Sequence, residues 1–141
     1  MKDVLDLLAR AFVSAIFLFE AFTSAKFFDR TQATMTEYGL TWNQDLLLIS
    51  TIVALSVGGI FLLIGYRPGF AVILLLLYWV PVTFIVYSFW NKPPEKQTLY
   101  SILFMKNIAI TGGLIHIWIY GTGRYSFRRL IGMTRLPKEE W

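Results

Sequence analysis

Apolar residues fall into four long, nearly unbroken stretches along this chain, over positions 7–28, 46–66, 69–90 and 99–120. A helix needs about 20 largely apolar residues to cross ~30 Å of hydrocarbon, so each stretch is long enough for one crossing. Runs such as 71–80 lack the polar positions that would give a soluble helix its wet face. The intervening segments are short: a polar excursion over 29–45, a turn at Arg67-Pro68, a loop over 91–98 and a basic tail over 121–141. The pattern predicts an all-α membrane protein, one domain of four transmembrane helices in an antiparallel up-down bundle.

Punctuation within the stretches refines the borders. Asn91-Lys92-Pro93-Pro94 should end the third helix, because proline lacks an amide donor and pushes its predecessor out of the helical region. Pro81 falls inside that helix and predicts a bend, with the Leu77 carbonyl left without its usual donor. The stretch from Thr31 to Gly39 reads as a short capped surface helix stopped by glycine, with Met35 and Tyr38 on one face. Tyr38, Trp42, Tyr87, Trp90, Tyr100, Trp118 and Tyr120 lie near predicted span ends, where amphipathic rings favour the head-group level. Gly58-Gly59 and Gly112-Gly113 predict close helix approaches. The second and fourth helices look alike around these pairs, as a duplicated hairpin would.

Composition agrees with a membrane chain: 56% hydrophobic and 16% charged, against roughly 25% charged in soluble domains. The net charge of +4 does not point to nucleic acid. Arg124, Arg128, Arg129, Arg135 and Lys138 follow the last span, where basic residues set topology and meet anionic head groups. With Lys2 and Arg67 they put both termini in the cytoplasm, with Arg30, Lys92 and Lys96 on the opposite side. With no cysteine and one histidine, the chain offers neither dithiol chemistry, nor a structural zinc site, nor bis-histidine haem ligation.

Ionisable residues inside the spans are the functional clue, since aspartate, lysine or arginine at a helix centre is charged ~2.5–3.5 kcal/mol by insertion scales and usually faces the bundle interior. Arg10 and Glu20 lie in the first span, Lys106, Asn107 and His116 in the fourth. Helical rise places Glu20 about 20 Å and Lys106 about 21 Å above the cytoplasmic ends. Asn107, Thr51 and Thr83 fall near the same level, and with Glu20 and Lys106 these residues predict an inward polar layer. In an up-down bundle the outer two helices are neighbours, so Glu20 and Lys106 are expected to pair, either to fix register or to serve a ligand or proton. Arg10 and His116 sit lower, and His116 is suited to handle a proton or to hydrogen-bond a quinone carbonyl. The Gly121-Thr122-Gly123-Arg124 turn lacks the strand and helix of a nucleotide loop.

The stretch 104–114, with Lys106-Asn107 ahead of Gly112-Gly113, and the following Gly121-Thr122-Gly123-Arg124-Tyr125-Ser126 resemble the C-terminal signature of the DoxX family. Leu8-Ala9-Arg10, Ile16-Phe17-Leu18, Lys26, Met35, Gly39, Gly58-Gly59, Leu62-Leu63-Ile64-Gly65 and Phe89-Trp90 match further along nearly the whole chain. The resemblance implies a four-helix bacterial inner-membrane protein, associated in some members with quinone-linked thiosulfate oxidation or with complexes that defend against oxidative stress. Many members carry glutamate three residues before the helix 2 glycine pair, where this chain has Leu55. Glu20 stands in helix 1, where the family has a small or weakly polar residue. A role for the helix 2 carboxylate therefore does not carry over.

Three readings follow. The chain is a non-catalytic membrane subunit or anchor of a redox-linked complex, with membrane or peripheral protein partners. Alternatively, it binds a quinone in the polar layer as an oxidoreductase component, or it conducts a small solute as a homo-oligomer. No catalytic constellation, metal or resident cofactor is expected from its residues.

Overall fold

A computed structural model describes residues 1–122. The basic tail and the Gly123–Ser126 part of the family-like signature lie outside the described residues. Those described form five α-helices and no strand: α1 Lys2–Lys26, α2 Phe28–Glu37, α3 Gln44–Ile64, α4 Pro68–Val86 and α5 Pro94–Tyr120. A 3-10 turn over Phe89–Asn91 separates α4 from α5. By length and composition three segments suit a membrane crossing: Gln44–Ile64, Pro68–Asn91 and Pro94–Tyr120. Helix α1 is long enough but carries Arg10 and Glu20 within its apolar run.

Local chemistry accounts for the breaks. Helix α3 stops at Gly65, whose φ of 71° needs the left-handed region that glycine enters without penalty. The Tyr66 amide then donates back to the Phe61 carbonyl at 2.9 Å, closing the helix end. Pro68 opens α4 at a first-turn position, where no amide donor is required. Three borders differ from expectation. Helix α4 ends at Val86 rather than residue 90, because Ser88 turns extended (φ −66°, ψ 97°) before the 3-10 turn. Helix α5 starts at Pro94 rather than residue 99, since its two prolines initiate it as well as terminate what precedes. Helix α2 begins at Phe28 without a side-chain cap, earlier than the capped start expected at Thr31, and Gly39 follows it at φ 82°.

Glycine packing decides which helices are neighbours. A Cβ on Gly58 would lie 2.8 Å from Leu75, and one on Gly59 would lie 2.8 Å from Leu18, so α3 is drawn tightly onto both α4 and α1. Around that contact Phe17, Leu55, Leu62, Ala71, Val72, Leu75, Trp79 and Leu114 form the core, with the Phe17 and Trp79 rings edge to face at 4.9 Å. The second glycine pair behaves otherwise. Gly112 has nothing within 4 Å of its Cβ position, and Gly113 meets only Val13, at 3.9 Å. Helix α1 therefore packs chiefly against α3 and touches α5 lightly. This corrects the expectation of a close α1–α5 pair: the likeness between the two glycine-bearing helices does not extend to their packing.

Candidate functional site

Arg10 is the largest fully buried side chain of the described residues. Its Nε donates to Asp6 Oδ2 at 2.9 Å, one turn earlier on α1. Its Nη1 donates to the carbonyl oxygens of Leu62 at 3.4 Å and Leu63 at 3.1 Å. These carbonyls belong to the last turn of α3, where the Gly65 amide reaches back to Leu62 at 3.3 Å and which carries the negative end of the helix dipole. A guanidinium supplies several donors in a rigid fork, so Arg10 can close another helix while keeping its bond to Asp6. Arg10, one of the ligand or proton candidates, makes these contacts within the fold.

The expected polar layer separates into two faces. Thr83 and Asn107 are buried, at 1% and 5% exposure, while Glu20 and Thr51 are half-buried. Lys106 is exposed, which corrects its expected inward placement. Adjacent residues on a helix point about 100° apart, and Asn107 rather than Lys106 occupies the core face of α5. Glu20 and Lys106 lie within electrostatic reach of one another but form no direct ion pair. Tyr78 and Tyr87 of the α4 segment share the Glu20 neighbourhood. The Asn107 backbone carbonyl accepts from Trp79 Nε1 at 3.3 Å and from Thr111 Oγ1 at 2.9 Å. Its side-chain Nδ2, buried, has no acceptor among the described residues, and the same holds for the Ser14 hydroxyl. His116 is exposed, its ring stacked at 4.5 Å and 41° on Tyr120 one turn further along α5.

A second polar cluster escaped the sequence reading, which treated Tyr38, Tyr87 and Tyr100 only as membrane-interface markers. Lys92 donates to Tyr38 Oη at 2.6 Å and lies over the Tyr38 and Tyr100 rings, 4.8 and 4.5 Å from their centroids. Tyr38 in turn donates to the Val86 carbonyl at 3.3 Å. Cation–π attraction and these bonds hold the segment after α2 against the ends of α4 and α5. The Tyr38 hydroxyl holds the Lys92 ammonium protonated above its ordinary range. No spacing rule links positions 38, 92 and 100; folding alone brings them together. At the other end, Arg67, Pro68, Gly69, Phe70, Trp118 and Tyr120 line an open hollow. The described residues contain no group of three or more histidine or acidic side chains placed to hold a metal ion.

Leu55, three residues before the Gly58-Gly59 pair, has 0% exposure inside the core. A long apolar helical hairpin sealed by a buried arginine, with charged and glycine-bearing positions left along the outer helix, is the architecture of a helical membrane protein. Within that class, the DoxX family model matches residues 5–88, more than half of the chain, and the chain belongs to the DoxX family. The match ends before the 104–114 segment. The chain is also 29% identical over 90 residues to Surfeit locus protein 4 homolog of Schizosaccharomyces pombe, a match covering 62% of this chain and 28% of that protein. This chain thus spans less than a third of that relative's length. No solved structure gives a significant match.

Proposed function

We propose that this DoxX-family protein is a four-span membrane subunit without turnover of its own, which anchors or organises a redox-linked complex of the quinone or oxidative-stress kind. Its place is the bacterial plasma membrane, with both termini cytoplasmic by the lysine and arginine distribution. Two contacts support the four-span path. Arg10 reaches the end of α3, and Leu18, further along α1, meets Gly59, earlier in α3. The two helices therefore run in opposite directions over the same depth.

The observation that carries the subunit reading is Lys106, exposed in the middle of an apolar helix that is long enough to cross the bilayer. An ammonium facing acyl chains is penalised by ~2.5–3.5 kcal/mol unless something covers it, and a protein partner is the natural cover. Beside it, the α1–α5 seam holds half-buried Glu20. Purification in mild detergent, followed by identification of co-purifying proteins, tests the reading. Lys106→Leu should lose a partner that the parent chain retains, with the fold intact. Retention of the same proteins by both chains refutes it.

Glu20 near Tyr78 and Tyr87, with the unpartnered Asn107 amide, favours a second reading: a lipophilic electron carrier such as a quinone, its polar head held at this level. An absorption spectrum and lipid mass spectrometry of the purified protein test it directly. A quinone lost with Asn107→Leu supports this reading, and its absence from the purified parent rejects it.

A further inference from the structure

We infer that the surface along α1 and α5 is covered by a second copy of this chain, joined through two reciprocal Glu20–Lys106 ion pairs. The inference rests on the subunit reading above and names the partner that covers Lys106. Val13 and Gly113 meet across the seam. Glu20 lies seven positions beyond Val13, and Lys106 seven positions before Gly113. In oppositely directed helices a rise of 1.5 Å per residue carries both side chains about 10 Å the same way along the membrane normal. The carboxylate and the ammonium therefore share one depth.

Equal depth has a consequence for symmetry. Two copies inserted the same way round can be related by a twofold axis along the membrane normal, and such an axis preserves depth. Only residues at one level can then meet their counterparts, and an isologous patch must be complementary to itself. An acid and a base at the same depth on one face satisfy that condition, with each Glu20 opposite the other copy's Lys106. Within one chain the two charges are near but unbonded, so both remain available. Ala109, exposed one turn beyond Lys106, and Gly112, with open space at its Cβ position, leave room for another helix to approach closely. A desolvated ion pair gains most where water is excluded, and the bilayer interior supplies that setting.

Tagged and untagged copies, co-expressed and purified in mild detergent, provide the test. The tagged parent should retain the untagged parent. E20K gives a chain with two positive charges at this depth, and K106E one with two negative charges. Each should lose self-retention at least tenfold, while E20K and K106E should retain one another at close to the parental level. Unchanged self-retention of both variants, or failure of the mixed pair, overturns the proposal. A second measurement leaves the native charges in place. Because the chain has no cysteine, Ala109→Cys introduces a single thiol, which should give an oxidative cross-link between copies. Leu77→Cys, on an exposed outer position of α4, should not. Equal cross-linking at both positions, or none at either, overturns the proposal. If cross-linking fails but a different protein is retained through Lys106, the second copy is excluded and the subunit reading stands. If no protein of either kind depends on Lys106, both fall.

Discussion

The Arg10 guanidinium donates to the Leu63 carbonyl oxygen at 3.1 Å across 53 positions of sequence, so a charge near the start of α1 closes the end of α3. Replacing Arg10 by alanine takes a donor from the Leu62 and Leu63 carbonyls, the former keeping the Gly65 amide, and removes the Arg10 charge beside Asp6. Loss of a buried charge partner is destabilising by on the order of 3 kcal/mol. Thermal unfolding in detergent should show the loss, with Arg10→Lys intermediate because a single ammonium cannot reproduce the fork. An unchanged midpoint for Arg10→Ala would contradict the sealing role.

The two glycine pairs should respond differently to alanine. At Gly58 the added methyl meets fully buried Leu75 at 2.8 Å, and overpacking of this kind destabilises by about 1–3 kcal/mol. At Gly112 it meets nothing of its own chain, so in the separated monomer the gain in helix propensity is about 0.5–1 kcal/mol. Unfolding midpoints of the two variants check the ordering, and equal losses would contradict the packing described.

Asn107→Leu should raise stability. The side chain is 5% exposed and its Nδ2 has no acceptor among the described residues, a situation that costs about 1–3 kcal/mol. Leucine removes the unpaired donor at similar volume. Partner retention and bound lipids, measured on the same preparation, separate a packing residue from a ligand contact: a more stable protein that loses a bound molecule assigns the amide to binding.

Lys92 gives a pH dependence with a definite sign. Its hydrogen bond to Tyr38 raises its folded-state pKa above the ordinary 10.5. The stabilisation is thus complete below the ordinary value and is lost as pH rises through the folded value. Hydrogen exchange over 28–37 should accelerate above about pH 10.5 in the parent relative to the unfolded-chain rate. Lys92→Met should already exchange faster at neutral pH, with no further pH-linked step from this site. Identical protection in the two chains would show that Lys92 does not hold α2.

Topology is testable with the chain's lack of cysteine. Lys2→Cys and Arg67→Cys should be protected from an impermeant thiol reagent added outside, and Lys96→Cys should be labelled. Labelling at position 2 with protection at 67 would mean that α1 does not cross.

Hydropathy alone placed three crossings to within a few residues, because twenty apolar residues in a row have one low-energy home. The turn at Arg67-Pro68 and the break before Pro94 were equally legible, since proline acts locally, whereas α3 stopped at Ile64, two residues before the expected end of the span. Facing was legible in α1, where the small and polar stripe of Arg10, Ser14, Phe17, Ala21 and Ser24 is the buried one, and not in the other spans. In lipid the outer surface of a helix is as apolar as the core surface, so no amphipathic stripe tells Asn107 from Lys106. Nor could spacing assign Arg10 its partners, Lys92 its aromatic neighbours or α1 its main contact. Arg10 meets Leu62 52 positions away, Lys92 meets Tyr38 54 positions away, and Gly59 meets Leu18 of another helix, contacts that only the folded chain makes. The chain's local grammar determined where helices begin and end. Close packing at a few small residues, known only from the tertiary structure, decided which faces of the other spans turn inward and which charges remain outside.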